Sequence, residues 1–263
     1  LGPETEDVAA CPQWDDAATL WRHFAETGSV DGLRLPDDAA TPELGALSVP
    51  VRLAPGESRV VTLAVAWHFP NRRRTSMHFG APLAPFSDYH LGNRYSTWFA
   101  SADEVLRYVA AHFDRLAGDT RLFHDALYET TLPHYLLDAV SANAGTIGSP
   151  VYEWHEDGTW GGFEGRACCP FNCTHVYNYA MTCAALFPEL ERRVREIDLL
   201  VQMHPDEHYI PHRTVVPLTL PRLGNAIGGP LHIALDGELG TVLKTYREYR
   251  QHGQREWLDS VWP

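Results

Sequence analysis

The sequence predicts a chain in two parts: a portion of an antiparallel β-sandwich, then an array of helical hairpins or a helical toroid. Two observations carry the prediction. Around Pro55-Gly56 the segment V-R-L-A-P-G-E-S-R-V-V-T-L-A-V-A-W-H-F-P reads as a β-hairpin, with Val61, Leu63, Val65 and Trp67 alternating along its second arm. From Ser101 onward the apolar period becomes helical, and caps and stops recur to the end of the chain. With 263 residues the chain can bury a sizeable core and fits two domains better than one. The expected division is 1–82 for the sandwich portion, 83–100 for a linker and 101–263 for the helical part.

Taken in order, Leu20, Trp21 and Phe24 mark a short helix between Trp14 and Gly28, and the glycine is placed to end it. Residues 29–50, rich in Pro, Asp and Gly, read as loop, and 70–95 read as a linker. Ser101-Ala-Asp-Glu104 is a capping box, followed by Val105, Val109 and Phe113 on one face, with Gly118 as the expected stop. A further helical run covers about 120–131, and Pro133 opens another. Thr174 can cap a helix reaching to about Phe187, and Pro188 suits the first turn of the next. The 202–235 region is irregular. Leu239, Val242, Leu243 and Tyr246 then form a stripe ended near Gly253, and E-W-L-D-S-V-W-P opens a last helix.

Composition narrows the partners. At 44% hydrophobic and 21% charged the chain is globular, and a net charge of −13 argues against a nucleic-acid partner. Arg72-Arg73-Arg74 reads as a solvated turn. No apolar run approaches the ~18 residues of a membrane span. Five cysteines, four of them between Cys168 and Cys183, make no spaced disulfide framework, so reduced thiols in a cytoplasmic protein are expected.

Chemistry concentrates in W-G-G-F-E-G-R-A-C-C-P-F-N-C-T-H-V-Y-N-Y, residues 160–179. Glu164 is a lone carboxylate among Gly161, Gly162 and Gly165, which permit positive φ and close approach of the backbone to a ligand. The rings offer a flat apolar wall, and Asn172, Thr174 and His175 add short polar groups. Such a mixture suits a sugar, which presents both apolar ring faces and hydroxyls. The plainer reading is a surface loop with a solvated glutamate. Other motifs carry less. His204-Pro-Asp-Glu207-His208 fits the H-x-x-E-H pattern of zinc peptidases, but Pro205 and Pro211 leave no helix on which both histidines could face one metal. Cys168, Cys169, Cys173 and His175 lack the separated knuckles of a zinc site and read as small thiols packing a loop. Asp236-Gly237-Glu238 reads as a turn and helix start, and Trp98 and Trp154 as core residues. Neither a metal nor a cofactor is expected.

W-G-G-F-E-G, N-C-T-H-V-Y-N-Y and L-F-P-E-L-E-R-R-V-R-E together resemble glycoside hydrolase family 116, which includes the non-lysosomal glucosylceramidase and bacterial β-glucosidases and β-xylosidases. V-A-W-H-F-P and D-G-E-L-G-T-V-L-K-T-Y-R-E-Y…W-L-D-S-V-W-P extend the resemblance over most of the chain. It implies an N-terminal β-sandwich followed by an (α/α)6 barrel, and a retaining mechanism. Glu164 then holds the nucleophile position, and His212 matches a histidine that contacts sugar hydroxyls. Asn172, Thr174 and His175 complete the expected substrate contacts. His175 stands where members carry an aspartate, and no aspartate of this chain matches the family's acid/base segment.

The expectation is therefore a segment of a retaining β-glycosidase that holds the nucleophile without its proton donor and is itself inactive. It would lack the front of the sandwich and roughly the second half of the barrel. Its substrate would be a β-linked glucoside or related sugar, and the remainder of the enzyme would be needed to complete the site. The competing classes are a non-catalytic carbohydrate-binding or scaffold protein of the same architecture, and a metal-site protein built on the Cys/His cluster.

Overall fold

Which of these elements form is settled by the backbone of the computed structural model, which describes residues 8–12, 14, 16–33, 44–74, 89–163, 171–175, 181–219 and 233–262. The described chain is helix-rich with two small antiparallel sheets of two strands each. It divides into two units, residues 1–65 and 66–263.

In the first unit β1 (Ala9–Cys11) pairs antiparallel with β2 (Ala46–Ser48), Ala10 opposite Leu47. Helix α1 (Ala17–Thr27) starts where Asp16 accepts from the Ala18 and Thr19 amides at 3.1 and 2.9 Å. It ends at Gly28, whose φ of +73° few other residues adopt. Those amide and hydroxyl donors, that of Thr19 foremost, hold the Asp16 carboxyl below the usual carboxylate range. Half-buried Leu20 and Phe24 face inward, but Trp21 is exposed.

The expected hairpin does not form. Its turn is present, with Glu57 N–H donating to Ala54 O at 3.0 Å and Gly56 at φ +82°, but no ladder follows. Val61, Leu63 and Val65 are exposed. Two arms whose apolar side chains stand open to solvent gain too little from pairing to hold as a hairpin.

In the second unit α2 (Ala102–Ala111) is capped as expected, Ser101 Oγ accepting from Glu104 N–H at 3.2 Å and Glu104 reaching back to Ala100 N–H at 2.7 Å. Its stop differs from expectation. The break falls at His112 (φ −121°, ψ 17°), and α3 (Phe113–Tyr128) runs through Gly118. A mid-helix glycine costs only ~1 kcal/mol, and the Arg115–Asp119 pair at 3.2 Å spans it. Helix α4 (His134–Gly145) follows Pro133.

Next come β3 (Tyr152–Trp154) and β4 (Trp160–Gly162), paired with Glu153 opposite Gly161. Helices α5 (Met181–Leu186) and α6 (Pro188–Glu196) lead into a π-helical turn over Ile197–Gln202. Helix α7 (Leu235–His252) ends at Gly253, φ +65°, and α8 (Arg255–Val261) is the last element.

Two apolar clusters flank β4. Trp160 packs with Cys183 and Val194 against Ile147, Tyr152, Trp154 and Leu190, while Phe163 packs with Leu91, Phe171 and Val216. Burial pushes the Cys183 thiol and the Tyr152 hydroxyl each up to about 12. Between α6 and α7 lies a layer of buried charge: Arg195, Glu191, Glu248, Asp198 and Lys244.

The arginine run is not a solvated turn. Arg74 is buried, Arg72 donates to Glu153 and, at 2.6 Å, to Asn93 Oδ1, and Glu153 Oε2 lies 2.8 Å from His155 Nε2. Leu91 and Asn93, in the stretch expected to be linker, are buried too. Trp98 is exposed and meets Trp154 edge-to-face at 5.4 Å, so of the two only Trp154 joins a core cluster.

Candidate functional site

Glu164, the expected nucleophile, lies outside the described residues, as do Gly165, Cys168 and Cys169. The residue before it is firmly placed: Phe163 is buried and its N–H donates to Val151 O at 2.8 Å.

The expected sugar contacts are brought together by three backbone segments lying side by side. Asn172 N–H donates to Gly162 O at 2.9 Å, joining 171–174 to β4. Thr214 N–H donates to Phe171 O and Thr174 N–H to His212 O, both at 3.0 Å, joining 171–174 to 212–214. The third segment is held from behind, since Gln202 Oε1, at the end of the π turn, accepts from Val215 N–H at 3.1 Å. Glu238 Oε1, from the first turn of α7, accepts from Ile210 N–H at 2.7 Å. Burial raises the Glu238 carboxyl even though that amide works against the rise.

Asn172 is 2% exposed and its amide is spent on β4: Oδ1 accepts from Gly162 N–H at 2.9 Å. Its φ of +53° lies in the left-handed region, which asparagine tolerates better than most residues. Gly161 makes room for it, because a Cβ there would stand 2.2 Å from Asn172 Oδ1. Gly161 and Gly162 thus serve close approach inside a strand, not the positive φ that the sequence also suggested.

Thr174 is buried. His175 is exposed, with Nδ1 3.1 Å from Asp236 Oδ2, and its ring centre lies 6.4 Å from that of half-buried His212. The hydrogen bond from His175 holds the Asp236 carboxyl below the usual range. Arg213 Nη1 donates to Cys173 Sγ at 2.6 Å.

A cavity of about 850 Å³ lies on the Trp160 side of β4, lined by Trp154, Trp160, Leu186, Phe187, Leu190, Arg193 and His252 among others. None of Asn172, Thr174, His175 and His212 lines it, so the hollow and the polar cluster are separate features. Residues on successive positions of a strand face opposite sides, and Gly161 faces Asn172. His204 and His208 occupy a turn, and His204 Nδ1 accepts from the Asp206 and Glu207 amides at 3.3 and 3.1 Å. Among the described residues no group of three or more His, Cys, Asp or Glu is arranged to hold a metal ion, and no helix is long and apolar enough to cross a membrane.

Residues 3–116 match the family model described as beta-glucosidase 2, glycosyl-hydrolase family 116 N-term. Over these residues the chain is similar to the N-terminal domain of family 116. The family 116 match begins in the first unit, continues through α2 and ends inside α3. Its implication is a glycoside hydrolase with a sugar substrate. No curated protein matches the chain.

One contributor to the polar cluster was missed by sequence reasoning. Asp236 was set aside as part of a helix start, which it is, but it also meets His175 across 61 positions. The signal available was an acidic residue next to a glycine at the opening of a helix, a common pattern that names no partner.

Proposed function

We propose that this chain belongs to a retaining β-glycosidase of the β-glucosidase or glucosylceramidase type, with Glu164 as nucleophile and the 171–175 and 210–213 segments as the sugar-holding wall. The family match over residues 3–116 carries the reading. The fold we infer is the family's β-sandwich leading into part of an (α/α)6 barrel. Phe163, anchored at the end of β4, would fix the point from which Glu164 acts.

In a retaining glycosidase one carboxylate attacks the anomeric carbon as the bond to the leaving oxygen breaks. A second carboxyl ~5–5.5 Å away gives that oxygen its proton, and water later releases the sugar from the enzyme. Glu164 would supply the first group. By resemblance no aspartate of this chain supplies the second, and a missing general acid costs ~10²–10⁴-fold in rate. Exposed His175 and half-buried His212 suit contact with sugar hydroxyls. Buried Thr174 and Asn172 suit the shaping of the wall more than direct contact.

The test is mechanism-based trapping. A 2-deoxy-2-fluoro-β-glucosyl fluoride carries a leaving group that needs little protonation. Incubated with the 263-residue chain, it should label the peptide containing Glu164, with no label in the Glu164→Gln variant and negligible turnover of alkyl glucosides. Reversible binding without labelling would instead support a carbohydrate-binding protein, and a label on another carboxylate would displace Glu164.

A further inference from the structure

The first turn of α7 supports both loops of the polar cluster. Gly237 packs so closely under the 174–175 turn that a Cβ would stand 2.4 Å from Thr174 Oγ1. Glu238 holds Ile210, and Asp236 Oδ2 sits 3.1 Å from His175 Nδ1. The backbone bond from Thr174 N–H to His212 O, at 3.0 Å, then sets the two imidazoles 6.4 Å apart, inclined at 69°.

The chemistry of the pair fixes the ring. An ionised carboxylate only accepts hydrogen bonds, so a neutral His175 facing Asp236 carries its proton on Nδ1. Its Nε2 is then left as an acceptor, the reverse of the tautomer an unrestrained imidazole favours. Sugar hydroxyls donate as readily as they accept, and an aimed acceptor beside His212 would select one hydroxyl orientation.

We propose that Asp236 is a positioning residue of the sugar site: it locks His175 as the Nδ1–H tautomer so that Nε2 receives a hydroxyl of the bound sugar. The proposal rests on the glycosidase reading for its ligand, but the tautomer can be measured without one.

The experiment is long-range ¹H–¹⁵N NMR of the histidine rings in the full 263-residue chain, with a titration by the iminosugar 1-deoxynojirimycin. His175 should show a protonated Nδ1 and a bare Nε2. In Asp236→Ala the populations should move toward Nε2–H and the iminosugar should bind about tenfold more weakly. Asp236→Asn, which keeps an acceptor oxygen, should restore most of both. The proposal is overturned if His175 has the same tautomer in the parent chain and in Asp236→Ala, or if both bind the iminosugar equally. If the parent chain binds no iminosugar, the sugar-site reading fails, and the tautomer comparison alone upholds or overturns the lock.

Discussion

Gly161 is small because Asn172 fills the space where its side chain would be. A Cβ at 2.2 Å from Asn172 Oδ1 forces either the amide or β4 to move, and both are buried. Gly161→Ala should therefore lower stability by ~1–3 kcal/mol, seen as an earlier urea midpoint with an unchanged slope. An unaltered midpoint would mean that the amide does not occupy that space. The sequence offered Asn172, Thr174, His175 and His212 as sugar contacts, and they stand on adjoining backbone segments. It could not say which polar atoms were already committed. Residue type shows that Asn172 can bind a hydroxyl, but not that its amide is spent on the Gly162 N–H ten positions earlier.

At the scale of elements, the helices from Ser101 onward were readable because their signals are local: the Ser101–Glu104 box, Pro188 in a first turn, Gly253 past a last one. Gly118 misled because one glycine is too cheap to stop a helix that other contacts favour. The joint between α6 and α7 was not readable. Charges at i, i+4 usually mark a solvated face, yet Glu191 and Arg195 are fully buried. Arg195 meets Asp198 at 2.6 Å, and Arg247 bridges Glu191 and Glu248 at 3.1 and 2.5 Å. Burial also raises the carboxyls of Asp198 and Glu248.

Lys244 gives this layer a pH signature. Burial takes its ammonium from the ordinary 10.5 down to about 7. Below pH 7 the proton is bound in both folded and unfolded chains. Between about 7 and 10.5 only the unfolded chain binds it, so the Lys244 contribution to stability rises with pH through that window. Compared with Lys244→Met, the parent chain should gain about 1 kcal/mol per pH unit between about pH 7 and 9, read from urea unfolding at each pH. Parallel curves for the two proteins would show that the buried amine is charged throughout.

Across the whole molecule, the helical part was legible and the sheet part was not, for a reason of cooperativity. A helix satisfies its own backbone, whereas the arms beside Pro55-Gly56 need a partner layer before their alternation has anything to bury. Exposed apolar residues follow from the same arithmetic. On α7 Leu235, Leu239, Val242, Leu243 and Tyr246 all stand open to solvent at helical spacing. A continuous stripe of that kind promotes association. Sedimentation should show mass rising with protein concentration, and Leu239→Lys with Leu243→Glu should suppress the rise. Association that ignores these changes would locate the adhesive surface elsewhere.

The three segments that gather the histidines are stitched to one another through amides and carbonyls, from Gly162 to Asn172 and from Phe171 and Thr174 to Thr214 and His212. Such stitches survive replacement of the side chains they carry. The imidazoles are thus interchangeable fittings on a fixed rail, and a new sugar preference could be reached by exchanging one fitting without rebuilding its mount.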